Sequence, residues 1–351
     1  MKTKKFSKAS LCVIMLLALS ATTASAKSWR INNDTRKQAN FTDINAAMAS
    51  ADVAAGDTLY LDPGCVLSSK QTITKAVTVI GTGYFLKNEM VASTINATLY
   101  IKAAGAKMNA VTITGTVYIE NDNITLERCM INKILRSGVT RYGLTVLQCY
   151  INCSTDYSSI EGEFRNATIK NNIIRNQYRN GYTYAAISNV HNSEISYNYL
   201  VTEGCNKSYI SDVIKDITNS QIYNNIIKHG SYPDRIFANT ASDYNNSFYN
   251  NVITAAEGTY SNVSNIVWLG SSDVSTVFAE GTDDAAYHLN EGSPAKGAAA
   301  DGGDCGPYGG ATPYVEGGKP LYHPFINDVT VSVKPVNGKI KLKLNAKMQN
   351  E

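Results

Sequence analysis

Residues 167–175 read A-T-I-K-N-N-I-I-R, and the chain writes this phrase repeatedly. Its frame is an apolar residue, an Asn three positions on, and an apolar residue two positions later. Ile169, Asn172 and Ile174 carry it first; Ile195, Asn198 and Leu200, then Ile222, Asn225 and Ile227, then Phe248, Asn251 and Ile253 repeat it. Upstream the frame reads Leu126, Cys129, Ile131 and Val146, Cys149, Ile151, with Cys in the place of Asn. From position 129 to 251 the column recurs after 20, 23, 26, 27 and 26 residues. Such a period marks a solenoid whose units bury their apolar faces only by stacking.

The pieces between the Asn positions are short β-branched runs separated by Gly and Asn turns, as at 76–80, 98–101, 111–113, 117–119 and 124–126. From position 158 each unit shows three strand-like pieces; 185–188, 193–197 and 199–201 make one of them. Helical patterning is nearly absent, and two-residue turns cannot carry βαβ crossovers. The sequence therefore predicts an all-β fold, a right-handed parallel β-helix. Asn suits its turns because it tolerates left-handed backbone angles and can bond to the rungs above and below. That need accounts for most of the 35 Asn residues.

Both ends carry caps. Phe41, Ile44, Ala47, Met48 and Ala51 fall at helical spacing, with Thr42 or Asn40 as N-cap, and predict a capping helix over the first rung. Residues 290–314 are rich in Gly, Pro and Ala, as a terminal cap or strap would be. Alternation at 329–346 around Asn337-Gly338 predicts a C-terminal β-hairpin. The expected division is a signal peptide at 1–26, the capped β-helix at 27–315 and a hairpin extension at 316–351.

The leader has Lys2, Lys4, Lys5 and Lys8, an apolar run at 11–19 and the small-residue end Ala24-Ser25-Ala26. Cys12 lies inside the apolar run, so there is no lipobox, and a secreted or periplasmic protein is expected. Without the four leader lysines the balance is 28 Lys+Arg against 29 Asp+Glu. That near-neutral balance excludes the basic footprint of a nucleic-acid binder. No stretch is apolar enough to be a transmembrane segment, and a monomer is expected. Of the six remaining cysteines, Cys129 and Cys149 fall on adjacent rungs ~4.8 Å apart, a spacing that permits a disulfide without requiring one. C-x-x-C and zinc-type spacings are absent.

Unit lengths vary mainly after the third piece. The stretches 176–183, 202–209, 228–234 and 254–263 are polar, contain Gly and are rich in Tyr, and loops that lengthen along one edge of a regular scaffold usually carry function. Tyr178, Tyr182, Tyr184, Tyr209, Tyr232 and Tyr260 lie in or beside them, interleaved with Arg175, Arg179, Lys207, His229 and Arg235. Tyr offers an apolar face for sugar C–H groups and a hydroxyl for bonding, and the basic residues can meet carboxylates or sulfates. Trp268 is either a stacking platform or a buried closing residue.

The segment F-T-D-I-N-A-A-M-A-S-A-D-V-A-A-G-D-T-L-Y-L at 41–61, V-I-G-T-G-Y-F-L-K-N at 79–88 and S-P-A-K-G…D-C-G-P-Y-G-G at 293–310 resemble the pectin-lyase-like right-handed parallel β-helix superfamily. The resemblance implies that chemistry sits on the outer face of the strand following the long loops: 158–164, 184–188, 211–216, 234–239 and 265–269. With Ile160 and Phe164 inward, Glu161 and Glu163 point outward together, about 7 Å apart. This pair is similar to the Glu-x-Glu by which chondroitinase-B-like and alginate lyases bind calcium, where a Lys base then removes a uronate C5 proton. The Lys expected later on the same rung is missing, and the next rung, Y-A-A-I-S, lacks the expected Arg.

The expected function is therefore binding of a polysaccharide, neutral or acidic, along the Tyr-rich loop face, without a complete recognisable catalytic set. The alternatives are a calcium-dependent lyase acting on uronate-containing glycans by β-elimination, and a structural or adhesin-like surface protein.

Overall fold

The computed structural model describes residues 26–86, 91–136, 138–177, 184–203, 212–229, 236, 245–258, 260, 263–271, 273–320, 324–331, 335 and 339–348. These form a right-handed parallel β-helix with three faces. Each full coil runs through a first-face strand, a tight turn, a second-face strand, a longer connection and a third-face strand. Thr168–Lys170, Ile173–Asn176 and Ile187–His191 make one coil, and Glu194–Ser196 begins the next. Every strand pair in the coil is parallel, from Ser28–Ile31 against Thr58–Leu61 to Val252–Ile253 against Val267–Trp268. The long strands Thr112–Ile119 and Met130–Arg136 bend from the second face to the third and so join the two into one sheet.

Parallel register stacks like on like. One inward row is Leu126, Val146, Ile169, Ile195, Ile222 and Phe248; another is Ile131, Ile151, Ile174, Leu200, Ile227 and Ile253. All are buried, and each such side chain contributes about 1.5–3 kcal/mol by leaving water. Trp268 extends the second row by one rung and packs, half-buried, against the core.

The Asn column is a hydrogen-bonded ladder of fully buried residues. The Asn198 amide donates to Ile169 O at 2.9 Å and to Asn225 Oδ1 at 3.0 Å. Its oxygen accepts the Asn172 backbone N–H and side-chain amide, both at 2.9 Å. Asn172, Asn225 and Asn251 repeat the pattern. Cys149 imitates it: the Cys129 N–H points at the Cys149 sulfur at 3.4 Å. Cys65, Cys129, Cys149, Cys153 and Cys305 are free and buried; Cys205 lies outside the described residues.

The left-handed turn residue is the one before each ladder position, not the ladder Asn itself. Arg128, Gln148, Asn171, Tyr197, Asn224 and Asn250 all have φ between 51° and 58°. Ladder and turn are thus separate jobs, held by the two halves of Asn171-Asn172. A second ladder, absent from the sequence reading, closes the turn from the third face to the first. There Ala167 N donates to Ser193 Oγ, Ser193 N to Ser220 Oγ and Ser220 N to Asn246 Oδ1, at 2.8–3.0 Å.

The capping helix spans Ile44–Ala49, and its N-cap is Asp43, which accepts from Ala46 N at 2.7 Å, not Thr42 or Asn40. After the last rungs the chain folds back as a strap along the left-handed turn column. Asn250 and Asn171 donate to Ala298 O, Pro307 O and Gly309 O, Tyr197 donates to Asp301, and Gln148 donates to Pro313 O. The strap buries an apolar cluster on the outside of the second face, including Tyr150, Ile173, Tyr199, Ile226 and Val252. Its far end is pinned by buried Asp284, which accepts from Gly317 N at 2.6 Å and from Tyr314 OH at 3.1 Å. Pro324–Val331 and Leu342–Met348 then pair antiparallel; the expected Asn337-Gly338 turn lies outside the described residues.

Candidate functional site

The strap covers the second face, and the third face runs on from the long connections. Its outward column is Thr72, Tyr100, Tyr118, Leu135, Glu161, Ser188 and Lys215, one residue per rung. Tyr100 and Tyr118 stack with ring centres 4.9 Å apart.

Ile160–Arg165 alternates strictly between buried and half-exposed, so Glu161 and Glu163 do point outward. A bulge then separates their surroundings, because Gly162 and Glu163 together stand opposite the single residue Asn189. Gly162 has φ +155°, and a Cβ there would lie 2.6 Å from Arg136 Cγ. Only glycine lets the Arg136 stem cross this strand. The same column continues through Asn189 and Asp216, both left-handed within strands. Bulges of this kind re-aim side chains and gather beside functional sites.

The bulge floors a cleft of about 240 Å³ lined by Leu135, Arg136, Tyr157, Glu161, Gly162 and Asn189. Glu161 accepts the Ser158 N–H at 2.9 Å. Arg136 donates through Nη1 to Gly138 O, while its Nε is buried without a partner among the described residues. Behind Tyr157 lies Lys133, 7% exposed, its ammonium 3.9 Å from the ring centre and 2.9 Å from Thr155 Oγ1. Burial pushes the Lys133 pKa below the usual lysine value, against the fields of Cys153, Asp156 and Glu161. Glu163 pairs with Arg165 at 3.0 Å, and that bond, aided by Thr140, holds its carboxyl below the ordinary range. His191 bridges Asn189 Oδ1 and Thr218 Oγ1, each at 2.7 Å; burial and the Arg165 charge lower its pKa and favour the neutral ring.

Apart from Glu163, which is paired with Arg165 and does not line the cleft, the expected site residues separate into three groups. Glu161 lines the cleft, and Tyr184 adjoins it with its ring 6.3 Å from Tyr157. Arg175, His229 and Trp268 do not belong to it. Arg175 stands on the second face, bound to Tyr150 OH at 3.0 Å and Glu203 at 2.8 Å. His229 is fully buried at a strand end, and 267–268 is a second-face strand. Tyr178, Arg179, Tyr182, Tyr209, Tyr232 and Arg235 lie outside the described residues, as does most of 234–239. Of that last stretch Ile236 is described: its carbonyl accepts from Val213 N and so extends the third face.

Lys133, Arg136 and Tyr157 were missed because they precede the Glu pair in sequence. One 26-residue period back from Glu161 lands on Leu135, between Lys133 and Arg136, which was the signal available. Calcium takes six to eight oxygen ligands, and Glu163 is already neutralised by Arg165. No group of three or more His, Cys, Asp or Glu converges among the described residues. What these residues offer falls short of a calcium site.

No family model matches the sequence, and no curated protein does. The fold is similar to the crystal structure of pectate lyase Pel9A at a TM-score of 0.46 and 15% identity, over 82% of this chain and 98% of that one.

Proposed function

We propose that the protein is an exported β-helix that holds an acidic polysaccharide in the third-face cleft. The observation that carries this is the pairing of Tyr157 and Arg136 in the lining of one cleft, with Lys133 buried behind the Tyr157 ring and the Arg136 Nε without a partner among the described residues. A sugar ring covers Tyr157 with its C–H face, while a uronate or sulfate group meets the guanidinium. The 1–26 leader supports export, and the hairpin beyond 316 is an appendage to the coil. Affinity electrophoresis through gels containing polygalacturonate, alginate or chondroitin sulfate tests the reading. Retardation on at least one gel is expected, reduced about tenfold in affinity by Arg136→Ala. Equal mobility on all three gels sinks it.

Lys133 favours a second reading, a lyase without calcium. Burial lowers the Lys133 pKa and so enlarges the fraction of neutral amine that a general base needs. Its neutral amine takes the uronate C5 proton, the C–H electron pair forms the C4–C5 double bond, the C4–O bond breaks, and water protonates the leaving oxygen. Ultraviolet absorbance of unsaturated uronate, present with the native protein and lost with Lys133→Met, distinguishes catalysis from binding.

A further inference from the structure

The strap builds a pocket of its own. A cavity of about 270 Å³ opens among residues 287–308 and shares no lining residue with the third-face cleft. One wall is aromatic: the His288 and Tyr308 rings stack with centres 3.7 Å apart and planes 22° apart. Both rings are fixed from behind. Glu316 holds His288 Nε2 at 2.7 Å, and the Tyr308 hydroxyl donates to Asp284 O at 2.9 Å. Leu289 adds an apolar patch.

Two opposite charges complete the lining, and neither has an ion-pair partner among the described residues. Asp304 accepts the Gly297 N–H through one oxygen at 3.0 Å, and Lys296 makes a long contact to Glu291 O at 3.3 Å. A strap that only covered the second face would need neither a preset aromatic wall nor an open carboxylate and ammonium beside it. The volume is below the roughly 300–1,000 Å³ of drug-sized sites, so it suits one small ring and not an oligomer. Cys305 also lines the pocket but is no nucleophile. It is buried against Asn250 O, and burial pushes its thiol pKa up to about 12.

We infer that this strap pocket is a sugar-binding site, separate from the cleft, that takes one uncharged pyranose unit. The sugar lies against the outer side of the His288–Tyr308 stack, one hydroxyl donates to Asp304, and its neighbour accepts from Lys296. Such a site lets the protein hold a neutral sugar whatever the third face binds.

Saturation-transfer NMR with the methyl glycosides of glucose, galactose and mannose tests this on the full chain. At least one glycoside is expected to bind the native protein. Its affinity is expected to fall about tenfold in Asp304→Asn and to stay unchanged in Arg136→Ala. Lys296→Gln, at an exposed position, gives a second variant that leaves packing intact and is expected to weaken the same glycoside. Three outcomes overturn the inference: no glycoside binds; binding is lost with Arg136→Ala but survives Asp304→Asn; or glycine, a zwitterion, binds where the glycosides do not. Only the second outcome would return the sugar to the cleft, so failure here leaves the polysaccharide reading standing.

Discussion

Replacing Asn198 by Ala should cost about 4 kcal/mol, far more than an ordinary turn substitution. The side chain is 0% exposed and makes four hydrogen bonds. After the change Asn172 keeps a side-chain partner in Val146 O, and Asn225 Oδ1 keeps the Asn198 backbone N–H. The Asn172 backbone N–H keeps nothing, and an unmet buried donor costs about 1–3 kcal/mol. The other three bonds are worth about 0.5–1.5 kcal/mol each. Asn192 provides the control. It is exposed at the next turn with φ 51°, so Asn192→Gly removes left-handed strain and should change stability by less than about 1 kcal/mol. Guanidinium unfolding followed by circular dichroism measures both, and hydrogen exchange at the Asn172 amide reports the local opening. If Asn198→Ala costs no more than Asn192→Gly, the ladder is not what couples the rungs, and the separation of ladder from turn is wrong.

Gly162→Ala must displace the Arg136 stem, so polysaccharide affinity should drop about tenfold; unchanged affinity would disprove the role given to the bulge. Lys133 has a depressed pKa, so the unfolded chain binds more protons than the folded one below the ordinary value of 10.5. Stability should therefore rise with pH through that window, and Lys133→Met should flatten the rise in pH-dependent melts. Burial raises the Asp284 pKa, so above 3.8 the unfolded chain releases a proton that the folded chain keeps. Stability should fall as pH rises from 3.8 through the folded value; an Asp284→Asn melt series that keeps this slope would assign it elsewhere.

The repeat made the coil legible because stacking demands that like residues recur at a fixed spacing, and Ile169, Ile195 and Ile222 do so. The outward direction of Glu161 was equally legible, since alternation is a local property of a strand. The cleft was not, because its members lie on different rungs. Gly162 reads as an ordinary break in E-G-E until the Arg136 stem is seen to cross it. Lys133 and Arg136 carry no signal of their own in the sequence, because it is a bulge between Ile131 and Lys133 that bends their strand from one face to another. The strap was expected only as a covering of the end. Its course depends on side chains such as Gln148 and Asn171 reaching partners more than 130 positions away, which no local pattern announces.

Each repeated feature can now be assigned to a structural task, and what remains marks the site. The Asn column is consumed in bonding rung to rung, and the left-handed column before it in bonding the strap. The outer second face is covered by that strap, which leaves Arg175 and its Tyr150 partner occupied beneath it. On the first face the outward positions Thr58, Thr78, Lys107, Thr125, Thr145 and Thr168 form one stacked row, mostly of threonines. On the third face the strands leave regular geometry at Gly162, Asn189 and Asp216, and charged groups lie partly buried beside an aromatic ring. A bulge and a desolvated lysine are both costs to a coil that needs only to stack. Their coincidence beside one cleft is what the proposed polysaccharide reading rests on.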